Sequence, residues 1–391
     1  MSATLTDTYT IPQEHLDFRD TIRQIVQEKV APRAHDIDAT AEYPWDIRRL
    51  FAENDILGLP FEADYGGTGT GTLMLSIAVE EIAKACAASS LILMVQDLGT
   101  LPIRLFGSEE LKARFLPRCA TGEWSPAFAL SEPEAGSDPA SMRTSAVQDG
   151  DEWVINGHKW FISNARRASF AILICRTEDN PDLPQAANTA FIVETHWDGW
   201  NRVREVETMH GGTGHSEIVI EDLRVPAANM LGGRGEGHML GQSRLGPARL
   251  AHCMRWIAQA ETALDMMVDR SLNRFAHGSL LAEKQGIQWM IADSTMELYQ
   301  AKLMVLHAAY RIDNGLDFKS EVSMAKHFVA NMLGRVIDRS IQVHGALGYS
   351  TDTPLAHMYQ HARWARFADG ADEVHQMRIA QRTIAAYRDH G

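Results

Sequence analysis

Apolar and polar residues along this chain fall into three successive textures. Up to about residue 122 the apolar positions recur at helical spacing. In HLDFRDTIRQIVQEKVAPRA, Leu16, Ile22, Ile25, Val26 and Val30 keep that period, and Pro32 ends the run. LMLSIAVEEIAKACAASSLILMV predicts a second helical stretch and EELKARFLPRCA a third. Between about 125 and 235 the runs become short and β-branched: FAILICRT, NTAFIVET and SEIVIEDLRVP read as strands. EWVINGHKWFIS holds Asn156-Gly157 between two apolar runs, which predicts a hairpin. From about 238 the helical period returns. Leu250, Met254, Ile257, Leu264 and Val268 form one stripe, followed by KQGIQWMIADSTMELYQAKLMVLHAAYRI, SMAKHFVANMLGRVIDRSIQVHG and DEVHQMRIAQRTIAAYRD. Several long helices in series predict a bundle, the last with Asp372 as its N-cap.

The length of 391 residues implies more than one domain. A net charge of −14 repels phosphate backbones and anionic membrane surfaces, so no nucleic acid and no membrane is expected as partner. No apolar run reaches the length of about eighteen residues that a spanning helix needs. Cys86, Cys119, Cys175 and Cys253 are scattered, which argues against a zinc site or a disulfide framework and fits a reducing compartment. The N-terminal stretch has neither a basic region nor an apolar core of an export signal, so a cytoplasmic protein is expected.

Two glycine-rich stretches, YGGTGTG (65–71) and GGRGEGHMLG (232–241), lack the spacing of a dinucleotide fingerprint and a Walker lysine, and both read as loops. HGGTGH (210–215) brings two histidines together without a third ligand, so no metal is expected. No Gly-x-Ser-x-Gly elbow supports a hydrolase. FALSEPEAGSDPAS (128–141) gathers Ser131, Glu132, Ser137 and Asp138 at the start of the β region. There the amides of Ala135, Gly136 and Ser137 could form an anion-binding concavity. WARFADGADEVHQ (364–376) sets Asp369 beside Gly370, ordinary turn chemistry taken alone.

FALSEPEAGSDPAS, then INGHKWFISNA, then QVHGALGYSTDTPLAHMYQHAR (342–363) together resemble the acyl-CoA dehydrogenase family of flavoproteins over essentially the whole chain. The resemblance implies an α+β, acyl-CoA dehydrogenase-like fold. An N-terminal helical domain would span 1–123, a middle β-barrel domain 124–236 and a C-terminal four-helix bundle 237–391. It also implies FAD, held between β domain and bundle and partly covered by a neighbouring subunit of a homotetramer or homodimer.

Residue by residue, Phe128 and Ser131 match positions touching the flavin ring. Phe161, Ile162 and Ser163 match the strand behind it, with Ser163 placed for flavin N5. Ser137 lies near both thioester ligand and cofactor. Arg274 and Gln285 correspond to residues reaching FAD across a subunit contact; a planar guanidinium suits a pyrophosphate. Gln342, His344, Gly345 and Ala346 match the adenine-end segment, and Ala371 and Gly370 flank cofactor and substrate. Asp369 stands where the family carries the glutamate that removes the α-proton of an acyl-CoA, while the β-hydride leaves for the flavin to give the trans-2-enoyl-CoA.

The family's other base position aligns with Ala248, which has no acid group, and Arg249 matches an active-site arginine. In the family the thioester enolate is held by a ribityl hydroxyl and by the backbone amide at the base, here Asp369. Asp is shorter than Glu by about 1.5 Å, so the substrate or backbone must sit closer. SRLGPARLAHCMR and ADGADEVH are similar to the branch containing the animal family members ten and eleven, which also carry Asp-Gly and are associated with 4-hydroxyacyl-CoAs. His277, Ala346 and Ala371 depart from the family's usual phenylalanine, glycine and threonine.

The expectation is an FAD-dependent acyl-CoA dehydrogenase that passes electrons to an electron-transfer flavoprotein. The alternatives are an oxidase of the same family, acting on a nitroalkane or an acyl-CoA, and a flavin-bound binding protein of low turnover.

Overall fold

The computed structural model describes residues 11–178, 187–209 and 214–389. His210 of the paired-histidine stretch therefore lies outside the described residues. In chain order the first helices are α1 (Gln13–Ile25), α2 (Ala34–Thr40), α3 (Trp45–Glu53), α4 (Gly71–Ala85), α5 (Ala87–Phe106) and α6 (Glu109–Ala120). The strands β1 (Pro126–Ala129), β2 (Ser145–Asp149), β3 (Glu152–Ser163), β4 (Phe170–Arg176), β5 (Asn188–Glu194), β6 (Trp200–Glu205), β7 (His215–Pro226) and β8 (Met230–Leu231) follow. Then come α7 (Gly237–Asn273), a small hairpin of β9 (Phe275–Ala276) and β10 (Ser279–Leu280), α8 (Gln285–Asp313) and α9 (Lys319–His344). The chain closes with α10 (Ala346–Tyr349), α11 (Leu355–Trp364) and α12 (Asp372–Asp389).

These elements form two compact units. One lies within Met1–Thr40, Gly71–Ser90 and Gly246–Gly391, as far as those residues are described, and the other within Ala41–Thr70 and Leu91–Leu245. The first unit is helical. Its core joins Leu250, Met254 and Ile257 of α7 to Val305 and Ala309 of α8 and to Val329, Leu333 and Val336 of α9. Leu264 of the expected stripe packs partly against that core, but Val268 is only half-buried. Ala263 and Met267 face inward instead, because the helical period drifts across so long a run. The unit also buries a charge cluster: Glu80 meets Lys84 at 2.8 Å and Lys302 at 2.7 Å, and Lys84 meets Glu261 at 3.0 Å.

The second unit is built on one sheet in the order β6-β7-β3-β2-β4-β5-β8, with β1 pairing parallel to β4. One face forms a cluster that draws on both ends of that path: Trp200, Ile218 and Leu223 share it with Leu173 and Phe191. A sheet whose distant strands fill one cluster curls around its own core. The opposite face of β4 and β5, through Phe170, Ile172 and Ile192, packs against Ile103, Phe115 and Leu116 of the helices. Strands covered on both faces explain why FAILICR and NTAFIVE read as continuous apolar runs.

Five sequence expectations are corrected. Pro32 does not end the first helical run; the chain widens into a π turn at Val26–Val30, tightens into a 3-10 turn at Ala31–Arg33 and goes on into α2. LMLSIAVEEIAKACAASSLILMV is two helices, because the Cys86 thiol accepts the Ser89 N–H at 3.4 Å and its hydroxyl at 3.1 Å, capping α5. Asn156-Gly157 is no hairpin turn. β3 runs straight through it with a bulge, the Asn156 amide bonds Asp222 at 3.1 and 2.9 Å, and a Cβ on Gly157 would meet Thr144 at 2.3 Å. GGRGEGHMLG is loop only at its start, since α7 begins at Gly237. Asp372 is the first residue of α12, and its carboxylate bonds Asn331 and Arg366, both at 2.9 Å.

Candidate active site

The expected site residues belong to both units. In the sheet unit, β3 carries a second irregularity against β7 between Lys159 and Ile162. Phe161 takes a left-handed φ of 57° there, and its ring is 50% exposed although it lies in a strand. An aromatic displayed on strained backbone is the kind of feature that clusters at ligand sites. Ile162 points the other way into the core, so it can offer a ligand only its backbone. Ser163 Oγ lies 3.0 Å from His215 Nδ1, and the His215 ring packs against Phe161 at 5.9 Å between centroids. Asn164 closes the strand, its amide donating to Ser125 Oγ at 2.8 Å and to the Pro126 carbonyl at 2.9 Å.

Phe128 is half-buried at the end of β1, with the Arg244 guanidinium 4.3 Å from its ring centroid. Ser131 is tied to the bulge, since its carbonyl accepts the Trp160 N–H at 2.9 Å. The next residue explains that loop. The Glu132 carboxylate accepts from Lys159 Nζ at 2.7 Å and from the amides of Arg143 and Thr144 at 2.6 and 3.0 Å. Lys159 also donates to the Leu130 carbonyl at 3.0 Å and is fully buried. Burial pushes the Glu132 carboxyl up, but the Lys159 charge and these donors outweigh it and hold it below its ordinary value. Burial lowers Lys159, against the pull of Glu132. Ser137 is exposed in the same loop. The three-amide concavity is not formed as expected: the Ala135 N–H is spent on the Glu132 carbonyl at 3.2 Å, closing a tight turn.

In the helical unit, Asp369 takes a φ of 50° and Gly370 one of 112°. Arg249 Nε donates to the Asp369 carbonyl at 2.8 Å, and Lys326 Nζ donates to the Gly370 carbonyl at 2.6 Å. A Cβ on Gly370 would stand 2.9 Å from His375 Nε2, so this position excludes a side chain both by backbone and by space. Asp369 Oδ2 is 3.6 Å from His252 Nε2, with 21% of the Asp369 side chain and 11% of the His252 side chain exposed. The carboxylate is thus shielded but reachable. His252 stacks on Trp256 at 5.5 Å, and Trp364 meets both rings edge-on at 5.3 and 5.8 Å. Burial, and then the charges of Arg249 and Lys326, push His375 down to about 3, so it packs here as a neutral ring. Ala248 is fully buried and Ala371 opens α12 through its carbonyl, which accepts from Val374 and His375.

The other expected cofactor residues in this unit lie apart from that turn in sequence. Arg274 is exposed just before the β9–β10 hairpin, whose turn residues His277 and Gly278 both take left-handed φ, 49° and 79°. Gln285 is exposed at the start of α8. Gln342 is exposed near the end of α9, His344 is buried with Nδ1 2.8 Å from the Ser340 carbonyl, Gly345 turns the chain at φ 66°, and Ala346 is exposed.

Sequence reasoning assigned no role to Glu132, Lys159, His252, Trp256, Lys326 or His375. Opposite charges inside the two signature stretches were a usable signal for the first pair. Lys326 offered none, since a lysine within SMAKHFVAN reads as a solvated helix face.

Comparison with known proteins agrees with this architecture. The description "Acyl-CoA dehydrogenase, N-terminal domain" matches residues 12–123, the middle domain 127–223 and the C-terminal domain 235–384. The chain is 34% identical to an acryloyl-CoA reductase (NADH) of Anaerotignum propionicum, covering 96% of each chain. It is 35% identical to a cyclohexane-1-carbonyl-CoA dehydrogenase of Geobacter metallireducens, covering 93% of this chain and 96% of that one. Butyryl-CoA dehydrogenase of Megasphaera elsdenii superposes with a TM-score of 0.91 at 29% identity, covering 96% and 99%. A helical–sheet–helical flavoenzyme of the kind that oxidises acyl thioesters is therefore the class. The chain belongs to the acyl-CoA dehydrogenase family, oxidoreductases whose cofactor is FAD.

Proposed function

We propose that this protein converts an acyl-CoA thioester to its trans-2-enoyl-CoA, with Asp369 as the base that takes the α-proton. The observation that carries this reading is the Asp369 carboxylate itself: shielded by His252, within an aromatic cluster, yet 21% exposed, on a turn whose carbonyl is held by Arg249. Ala248, at the alternative base position, has no group to take a proton and is fully buried. With its carbonyl drawn towards Arg249, the turn fixes where the Asp369 amide points, and that amide is the proposed donor to the thioester carbonyl as enolate character develops. By the family resemblance, Arg249, Gly370 and Ser137 are the residues that would contact the substrate.

The residues present fit FAD. Phe161, displayed by the bulge, and Phe128, Ser131, the Ile162 backbone and Ser163 would hold the ring system. Arg274 and Gln285 would meet the pyrophosphate side, and Gln342, His344, Gly345, Ala346 and Ala371 the remaining cofactor contacts. Bound FAD supplies the acceptor for the hydride that leaves the β-carbon. Trp289, Met296 and Tyr299 are exposed on α8, the helix that Gln285 opens, and support a homo-oligomer, tetramer or dimer, in which Arg274 and Gln285 serve a neighbour's cofactor. We further propose an electron-transfer flavoprotein as electron acceptor, the domain division 1–123, 124–236 and 237–391, and a cytoplasmic location, which four free buried cysteines support.

The test is Asp369→Asn. It should retain FAD and bind acyl-CoA while anaerobic flavin reduction falls by about 10³-fold, the scale of a lost general base. Near-normal reduction in that variant would move the base elsewhere. Oxygen uptake by the wild type without an added acceptor would favour an oxidase.

A further inference from the structure

We infer that Lys326 is a positioning residue for the base: by holding the Gly370 carbonyl it fixes the turn from which Asp369 presents its carboxylate and amide. This deepens the reading of Asp369 as base and rests on it. Asp369 and Gly370 are consecutive residues with φ of 50° and 112°, and a non-glycine residue in the first conformation needs its surroundings to hold it there. Two cations supply that hold from two different helices. Arg249 on α7 binds the first carbonyl at 2.8 Å, and Lys326 on α9 binds the second at 2.6 Å. On a further side, His375 closes against Gly370, leaving the turn little room to relax in that direction.

Lys326 is fully buried, a costly place for an ammonium group. Its bond goes to a carbonyl rather than a carboxylate, with the Trp256 ring centroid 6.0 Å away. The charges that face it are Asp372 of α12, Asp369 of the turn and Arg249 of α7, with the Cys253 thiol of α7, pushed up to about 12 by burial and so neutral, beside them. Burial outweighs the two carboxylates and pulls its proton affinity down to about 8. A side chain needed only to fill that space would be better apolar. What lysine adds is a charged donor at one carbonyl of the catalytic turn.

The holoenzyme decides this with Lys326→Met and Lys326→Arg, reduced anaerobically by whichever of butyryl-, octanoyl- or 4-hydroxydecanoyl-CoA bleaches the wild type. Lys326→Met should keep its FAD and its acyl-CoA affinity but reduce its flavin about 10²-fold more slowly, the effect of displacing a catalytic group by an ångström. The deuterium isotope effect with α-deuterated substrate should rise, and Lys326→Arg should recover much of the rate. Should Lys326→Met fail to fold, the pH profile decides. The wild-type reduction rate should fall above about pH 8, and the Arg variant should lack that limb. Wild-type rates in Lys326→Met, or identical profiles for wild type and Arg variant, would overturn the inference alone. A wild type that no acyl-CoA bleaches would overturn both it and the reading beneath it.

Discussion

Two fully buried lysines stand behind the two groups of site residues, and they are held differently. Lys159 lies behind the loop carrying Phe128 and Ser131, and its charge is matched by Glu132 at 2.7 Å, whose oxygens also take two backbone amides. Lys326 lies behind the turn carrying Asp369 and binds a carbonyl, with Asp372 acting on it only through space. The first is a closed ion pair with its hydrogen bonds satisfied. The second is hydrogen-bonded to a carbonyl, and the carboxylates that face it, Asp372 and Asp369, act on it only through space. Removing one partner of a closed pair leaves the other buried and uncompensated, whereas removing a charge that no carboxylate bonds relieves a desolvation cost. The lesson is that one lysine supports the fold around a site and the other costs stability for the sake of geometry.

Truncating both lysines separates the two roles by the largest margin. Lys159→Met should lose about 3–5 kcal/mol of stability, with FAD released as the sheet loosens, because Glu132 is left charged in the interior. Lys326→Met should lose none at pH 7. Equal losses in denaturant melts of the two variants would erase the distinction.

A smaller effect comes from His375, which burial, and then the charges of Arg249 and Lys326, keep neutral. Its folded proton affinity, at about 3, lies below its unfolded value of about 6.5, so the unfolded state binds more protons throughout that window. Stability therefore falls as pH drops from 6.5 towards 3, by about 2 kcal/mol between pH 6.5 and 5. In His375→Leu that part of the acid slope should vanish, as paired denaturation curves at the two pH values would reveal.

The smallest expected change is at Phe161. Phe161→Leu should leave the fold intact and weaken FAD by about 1 kcal/mol, a several-fold rise in its dissociation constant by fluorescence titration. An unchanged constant would mean that the displayed ring does not serve the cofactor.

Much of the architecture was legible in the sequence, for identifiable reasons. β4 and β5 read as strands because both of their faces are covered, and α8 and α9 because their inward residues recur over many turns. Asn156-Gly157 misled because the local signal for a hairpin is the same as that for a bulge; what decided it was Thr144 crowding Gly157 and Asp222 binding Asn156, contacts distant in sequence. Asp372 carries cap chemistry, but Asn331 and Arg366 claim its carboxylate. The candidate base was visible through motif order. What holds it was not, since Arg249, Lys326 and His375 converge on the turn from three separate helices.

The most direct test of the central claim is an anaerobic titration of the purified wild-type protein with butyryl-, octanoyl- and 4-hydroxydecanoyl-CoA and with nitroethane, followed by flavin absorbance. The expected result is a yellow protein bleached by at least one acyl-CoA, with the trans-2-enoyl-CoA recovered as product. A flavin bleached only by nitroethane, or a protein that takes up no FAD, would contradict it.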